Sequence, residues 1–140
     1  GAKEGWQTAV RLLPYLVGML VAIQVFQHTG ALESLIKLVE PVTSLVGFPS
    51  EVLPLALMRP ISGSGSLAIL SQIFQTHGPD SFLGRLASII MGSTETSLYV
   101  MTVYAGAVGI KRARHTLATA LLADLAAVVI ALYVVLHFFA

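Results

Sequence analysis

Cysteine is absent from the 140 residues, which excludes disulfides, thiolate metal sites and a thiol nucleophile. Charge is nearly as scarce. Asp, Glu, Lys and Arg make up 11% of the chain, against roughly 25% in an average soluble domain. Eight basic and seven acidic residues leave a formal net charge of +1, so the basic footprint of a nucleic-acid partner is missing. There is no Walker loop, no dinucleotide fingerprint and no nucleophile–base pair. His28, His77, His115 and His137 fall near expected helix ends without metal-ligand spacing. The expectation is a protein that is not an enzyme and carries no resident cofactor, although a coupling cation fits the oxygen-rich motifs described below.

What the chain holds instead is apolar sequence. Hydrophobic residues account for 56% and mean hydropathy is +0.84. A chain this short cannot hide that much apolar surface in one aqueous core, so the bilayer is the expected solvent. The expected fold is all-α: a single multipass membrane domain over 1–140. Lys3 and Glu4 precede an apolar stretch that runs too long for a signal peptide.

Residues 12–28 contain LLPYLVGMLVAIQVF and, lying in 21 residues without a formal charge from Leu12 to Leu32, predict a transmembrane helix. Pro14 is expected near its start, where a missing N–H matters least. Residues 31–47 place Glu33, Lys37 and Glu40 on one face and Leu32, Leu35, Ile36 and Val39 on another, which predicts a helix lying in the interface. Residues 51–76 read as two arms of about two turns each around RPISGSGS. Residues 82–110 read as a spanning helix interrupted at GSTETS, and residues 116–139 as a final transmembrane helix.

Topology follows from the basic residues. If 51–76 is a re-entrant hairpin, Lys3, Arg11, Lys111, Arg112 and Arg114 share one side and Lys37 stands on the other. If 51–76 crosses, the basic residues divide four against two. The positive-inside rule favours the hairpin, with the N-terminus of this chain and the 111–115 loop cytoplasmic.

Non-helical backbone at membrane depth persists only where protein or a water-filled cavity satisfies its N–H and C=O groups. Two such breaks, at 60–66 and 92–97, predict convergence on a polar site, the recurring device of secondary transporters. Gly63 and Gly65 permit close approach, while Ser62, Ser64 and Ser66 bring hydroxyls. The competing reading is that these small residues serve helix packing. Ser93, Thr94, Glu95 and Thr96 form an oxygen cluster suited to a polar solute or a hard cation. A carboxylate in apolar sequence marks a pathway or an ion pair, and Glu95 has Arg59 as a candidate partner. Arg59 has two readings of equal weight, binding an anionic group or bracing the hairpin. Asp124 is an additional candidate, with a packing or hydrogen-bonding role slightly favoured.

PYLVGMLVAI (14–23), EVLPLALMRPISGSGSL (51–67), GPDSFLGRLAS (78–88), GSTETSLYVMTVYAGAVGIKRARH (92–115) and LLADL (121–125) resemble the spore maturation protein B family over nearly the whole chain. The combination of RPISG, GPDSF and GSTET is specific to it. More broadly the chain is similar to the nucleoside-recognition or gate group, which includes concentrative nucleoside transporters. The resemblance implies a bacterial cytoplasmic (inner) membrane location, and half of a transport or permeation site for a small polar solute or ion. It further implies a role in spore-core dehydration in spore formers, and a partner that is the sister spore maturation protein A or a second identical chain. It also implies a further hydrophobic segment before residue 1. The alternative is a non-transporting assembly or scaffold partner of the sister protein. The gate regions of ferrous-iron transporters carry a cysteine that this chain lacks, so iron transport is not carried over.

Overall fold

The structure, a computed structural model, describes residues 1–110 and 112–139; Lys111 of the basic loop lies outside them. Seven helices and no strand occur among the described residues: α1 (Ala2–His28), α2 (Ala31–Leu45), α3 (Leu53–Met58), α4 (Gly63–His77), α5 (Phe82–Ser93), α6 (Ser97–Val108) and α7 (Thr116–Phe138). Two of these, over Ala2–Phe26 and Thr116–Phe138, are long and apolar enough to cross a membrane.

α1 begins ten residues earlier than the apolar run that predicts it, because AKEGWQTAVR contains no helix stop before Leu12. Pro14 is therefore interior, not near the start, and leaves the Val10 carbonyl without its usual N–H donor. Membrane helices tolerate such a proline because neighbouring groups and local adjustment meet the freed carbonyl. Pro41 is likewise interior to α2.

The two arms around RPISGSGS are unequal. α3 has six residues and α4 has fifteen, so the expectation of about two turns each fails for the second arm. The cause lies in the cap. Ser62 is the N-cap of α4 and its hydroxyl accepts from the Gly65 N–H at 3.1 Å. Ser66 Oγ donates back to the Ser62 carbonyl at 2.7 Å. These bonds draw Gly63–Ser66 into the first helical turn despite the low helix propensity of glycine. The unwound stretch is thus confined to 59–62.

GPDSFLG forms the next turn on similar terms. Ser81 caps α5 by accepting from the Gly84 N–H at 3.0 Å, and its hydroxyl donates to the Gly78 carbonyl at 2.7 Å. A Cβ on Gly84 would run into the Gly78 carbonyl oxygen and stand 2.7 Å from that of Pro79. Gly78 itself has φ +86°, a conformation that favours glycine.

The core joins four of the helices. Val52, Leu53 and Leu55 at α3 meet Leu70 and Ile73 of α4, Leu86, Ala87 and Ile90 of α5, and Ala131, Leu132 and Val135 of α7. α1 packs on α6 and α2, and α6 also packs on α7. Large apolar side chains face outward along α1 (Leu13, Val17, Leu20, Val21, Val25) and α7 (Leu122, Leu125, Val129, Ile130, Leu136). A contiguous surface of this kind is at home in hydrocarbon rather than in water.

α2 has three faces. Ile36 and Val39 pack toward the core; Glu33, Lys37 and Glu40 form an exposed charged stripe; and Leu38, Val42, Leu45 and Val46 form an exposed apolar one.

Candidate functional site

The second break is narrower than GSTETS. Gly92 and Ser93 close α5 and Ser97 opens α6, leaving Thr94, Glu95 and Thr96 as the unwound tripeptide. α5 and α6 are in effect one helix split at this point. The split exposes an α5 C-terminus with partial negative charge and an α6 N-terminus with partial positive charge.

Each end is met by a side chain of opposite charge. Arg59, which follows α3, is 8% exposed. Its Nη2 donates to the carbonyl oxygens of Met91 at 3.1 Å and Thr94 at 2.6 Å. Asp124 of α7 is 9% exposed. Its Oδ1 accepts from the Glu95 N–H at 3.3 Å and its Oδ2 from the Ser97 hydroxyl at 2.5 Å. Both charges are thus placed where a helix end favours them and where charge-assisted hydrogen bonds form.

The two breaks touch directly. The Leu98 N–H donates to the Pro60 carbonyl at 3.0 Å, so the first break supplies an acceptor for the second half-helix. Gly63 faces the Thr96 methyl group; a Cβ there would approach it to 3.3 Å. This is a close approach of the kind that needs glycine.

Glu95 stands apart from this lock. It is exposed, and its Oε1 accepts from the N–H (2.9 Å) and hydroxyl (3.2 Å) of Thr96. No ion pair joins it to Arg59 among the described residues. The direct pairing considered from the sequence is not formed, because the Arg59 guanidinium is turned to backbone carbonyls instead.

The remaining candidates divide by exposure. Ser62, Ser66, Thr94 and Thr96 are buried, Gly63 and Gly65 are half-buried, and Ser64 and Ser93 are exposed. Ser66 Oγ and Thr94 Oγ1 are spent on the carbonyls of Ser62 and Ile90, at 2.7 and 2.6 Å. Ser62 and Ser64 hydroxyls lie 3.3 Å apart. The structure therefore brings Arg59, Thr94, Glu95, Thr96 and Asp124 together as one unit and places Gly63 against it. Ser97 is the residue that the sequence reading omits. Its place at the end of GSTETS was the available signal.

A family model described as nucleoside recognition, Gate, matches residues 9–111, which makes this chain a membrane protein of the gate class. Spore maturation protein B of Bacillus subtilis (strain 168) is 53% identical over 135 residues, covering 96% of this chain and 76% of that protein. The chain belongs to the spore maturation protein B family. No solved structure matches it.

Proposed function

We propose that the chain supplies half of a transport or permeation site for a small polar solute or ion. The observation that carries this reading is the division of labour among the three charged residues at the break. Arg59 and Asp124 are buried and committed to backbone and hydroxyl groups, while Glu95 is exposed beside them. A carboxylate facing outward at membrane depth is costly in lipid and calls for a polar partner. Ser93 and Ser64, also exposed, supply hydroxyls for the same face. A partner bringing a matching face, the sister spore maturation protein A or a second identical chain, would enclose the site. Glu95 then serves as ligand for a cation or solute donor, with no enzymatic step and no resident cofactor.

The topology of this reading is multipass in the bacterial inner membrane, with residues 51–76 re-entrant and the N-terminus of the chain and the 111–115 loop cytoplasmic. The three-faced α2 supports an interfacial position for that helix, since its exposed apolar stripe suits acyl chains and its charged stripe suits water. In a spore former the expected setting is core dehydration, as the name of the relative suggests.

The test is reconstitution of the protein with and without the sister protein, followed by uptake of nucleosides and small ions. Flux that Glu95→Gln abolishes supports the site. A stable complex that passes none of these solutes favours an assembly or scaffold role instead.

A further inference from the structure

Away from Glu95, a cavity of about 530 Å³ lies between α2, α3 and α7. That volume is within the range of small-molecule sites, roughly 300–1,000 Å³. Its walls are apolar, formed by residues such as Val39, Val42 and Val46 of α2 with Leu125, Val128 and Leu132 of α7. Its polar lining includes Arg59, Thr94 and Asp124.

The hydrogen-bonding capacity left at this polar end is a donor. Thr94 Oγ1 donates to the Ile90 carbonyl, and both Asp124 oxygens accept from protein groups. Arg59 uses Nη2 twice, but its Nε is buried with no hydrogen-bond partner. A buried N–H without an acceptor costs about 1–3 kcal/mol, so an acceptor delivered by a ligand would relieve it. Arg59 and Asp124 carry opposite charges on the same lining. A neutral acceptor meets the guanidinium without the repulsion and desolvation that an anion would suffer beside Asp124.

The rim indicates where such a ligand comes from. Val42 is 65%, Val46 68%, Leu125 60% and Val129 59% exposed, so in a membrane the cavity opens to hydrocarbon. We propose that it holds one acyl chain of a membrane glycerolipid, with the ester carbonyl accepting a hydrogen bond from the Arg59 guanidinium. The headgroup stays outside, so recognition depends on the ester and not on headgroup charge. The inference does not depend on the transport reading.

The test needs no variant at its first step. The full chain is exposed to vesicles holding equal amounts of dioleoyl diester phosphatidylcholine and its dialkyl ether analogue, then extracted, washed and analysed for retained lipid by mass spectrometry. The ether lacks the carbonyl but keeps the chain and headgroup. Retention of the diester over the diether by roughly tenfold is expected, the scale of a hydrogen bond to a charged group. A phosphatidylglycerol diester should be retained as well as the phosphatidylcholine. Val129→Trp, which fills the cavity from its exposed rim, should remove the preference while leaving the melting temperature unchanged.

Equal retention of ester and ether overturns the proposal, as does a preference that survives Val129→Trp. Stronger retention of free oleate than of the diester would make the site anionic and overturn it too. Because the chain has no cysteine, Val42→Cys reports a different occupant cleanly. Efficient disulfide dimers through Cys at 42 in membranes would place a second copy over the cavity, contrary to the proposal.

Discussion

Arg59 and Asp124 grip opposite ends of the same unwound tripeptide. The guanidinium holds the carbonyls of Met91 and Thr94, and the carboxylate holds the Glu95 N–H and the Ser97 hydroxyl. One comes from the turn after α3 and the other from α7, so the break is tied to two elements that pack on either side of α5. Free helix ends inside a membrane protein would leave backbone groups unsatisfied. The two charges meet that need, and each opposes the partial charge of the half-helix it faces.

Arg59→Gln should destabilise the protein by about 2–3 kcal/mol, since it removes a charged donor from two buried carbonyls. Thermal unfolding in detergent reads this directly. Arg59→Lys, which restores charge but not the planar donor geometry, should recover part of the loss. A melting temperature unchanged in Arg59→Gln would mean that the clamp contributes nothing.

At Asp124 the expected order is Asn milder than Ala. Asparagine keeps one acceptor oxygen for either the Glu95 N–H or the Ser97 hydroxyl, whereas alanine leaves both donors unmet. Alanine should cost about 2–4 kcal/mol through two unpaired buried groups. Equal melting curves for the two variants would argue against the carboxylate as the holder of the α6 start.

Glu95→Gln should behave in the opposite way. The side chain is exposed, and the amide oxygen can still accept from Thr96, so stability should stay within about 0.5 kcal/mol. Solute flux in the reconstituted assembly should nevertheless be lost. Full flux with a Gln at this position sinks the assignment of Glu95 to the site.

Gly84→Ala tests the GPDSF turn rather than the site. The added methyl meets the backbone carbonyls of Gly78 and Pro79, which have no side-chain freedom with which to yield. A loss of about 1–3 kcal/mol is expected from overpacking, visible as a lower denaturation midpoint.

Within the serine-rich stretch, Ser64→Ala and Ser66→Ala should separate. Ser66 is fully buried and bonded to the Ser62 carbonyl, so its loss should cost about 0.5–1.5 kcal/mol. Ser64 is exposed, and its loss should leave stability unaltered. The comparison by thermal unfolding distinguishes a folding hydroxyl from one left free for the site.

Composition and periodicity alone establish an all-helical membrane chain. The uncharged runs at 12–28 and 116–139 have no aqueous solution at this length, and the 3.6-residue spacing of Glu33, Lys37 and Glu40 needs no neighbours to be seen. Ser62 before GSGS and Ser81 before FLG are local cap signals, also readable in one dimension. What tertiary structure alone decided is which polar groups are consumed. Arg59 and Glu95 are equally plausible ligands in sequence, and Asp124 lies 29 residues beyond Glu95. Only the packing of α3 and α7 around the split helix turns Arg59 and Asp124 inward to its ends and leaves Glu95 outside. The physical reason is that hydrogen-bond satisfaction at a helix break is a long-range property. Its donors and acceptors arrive from whatever elements the core brings alongside.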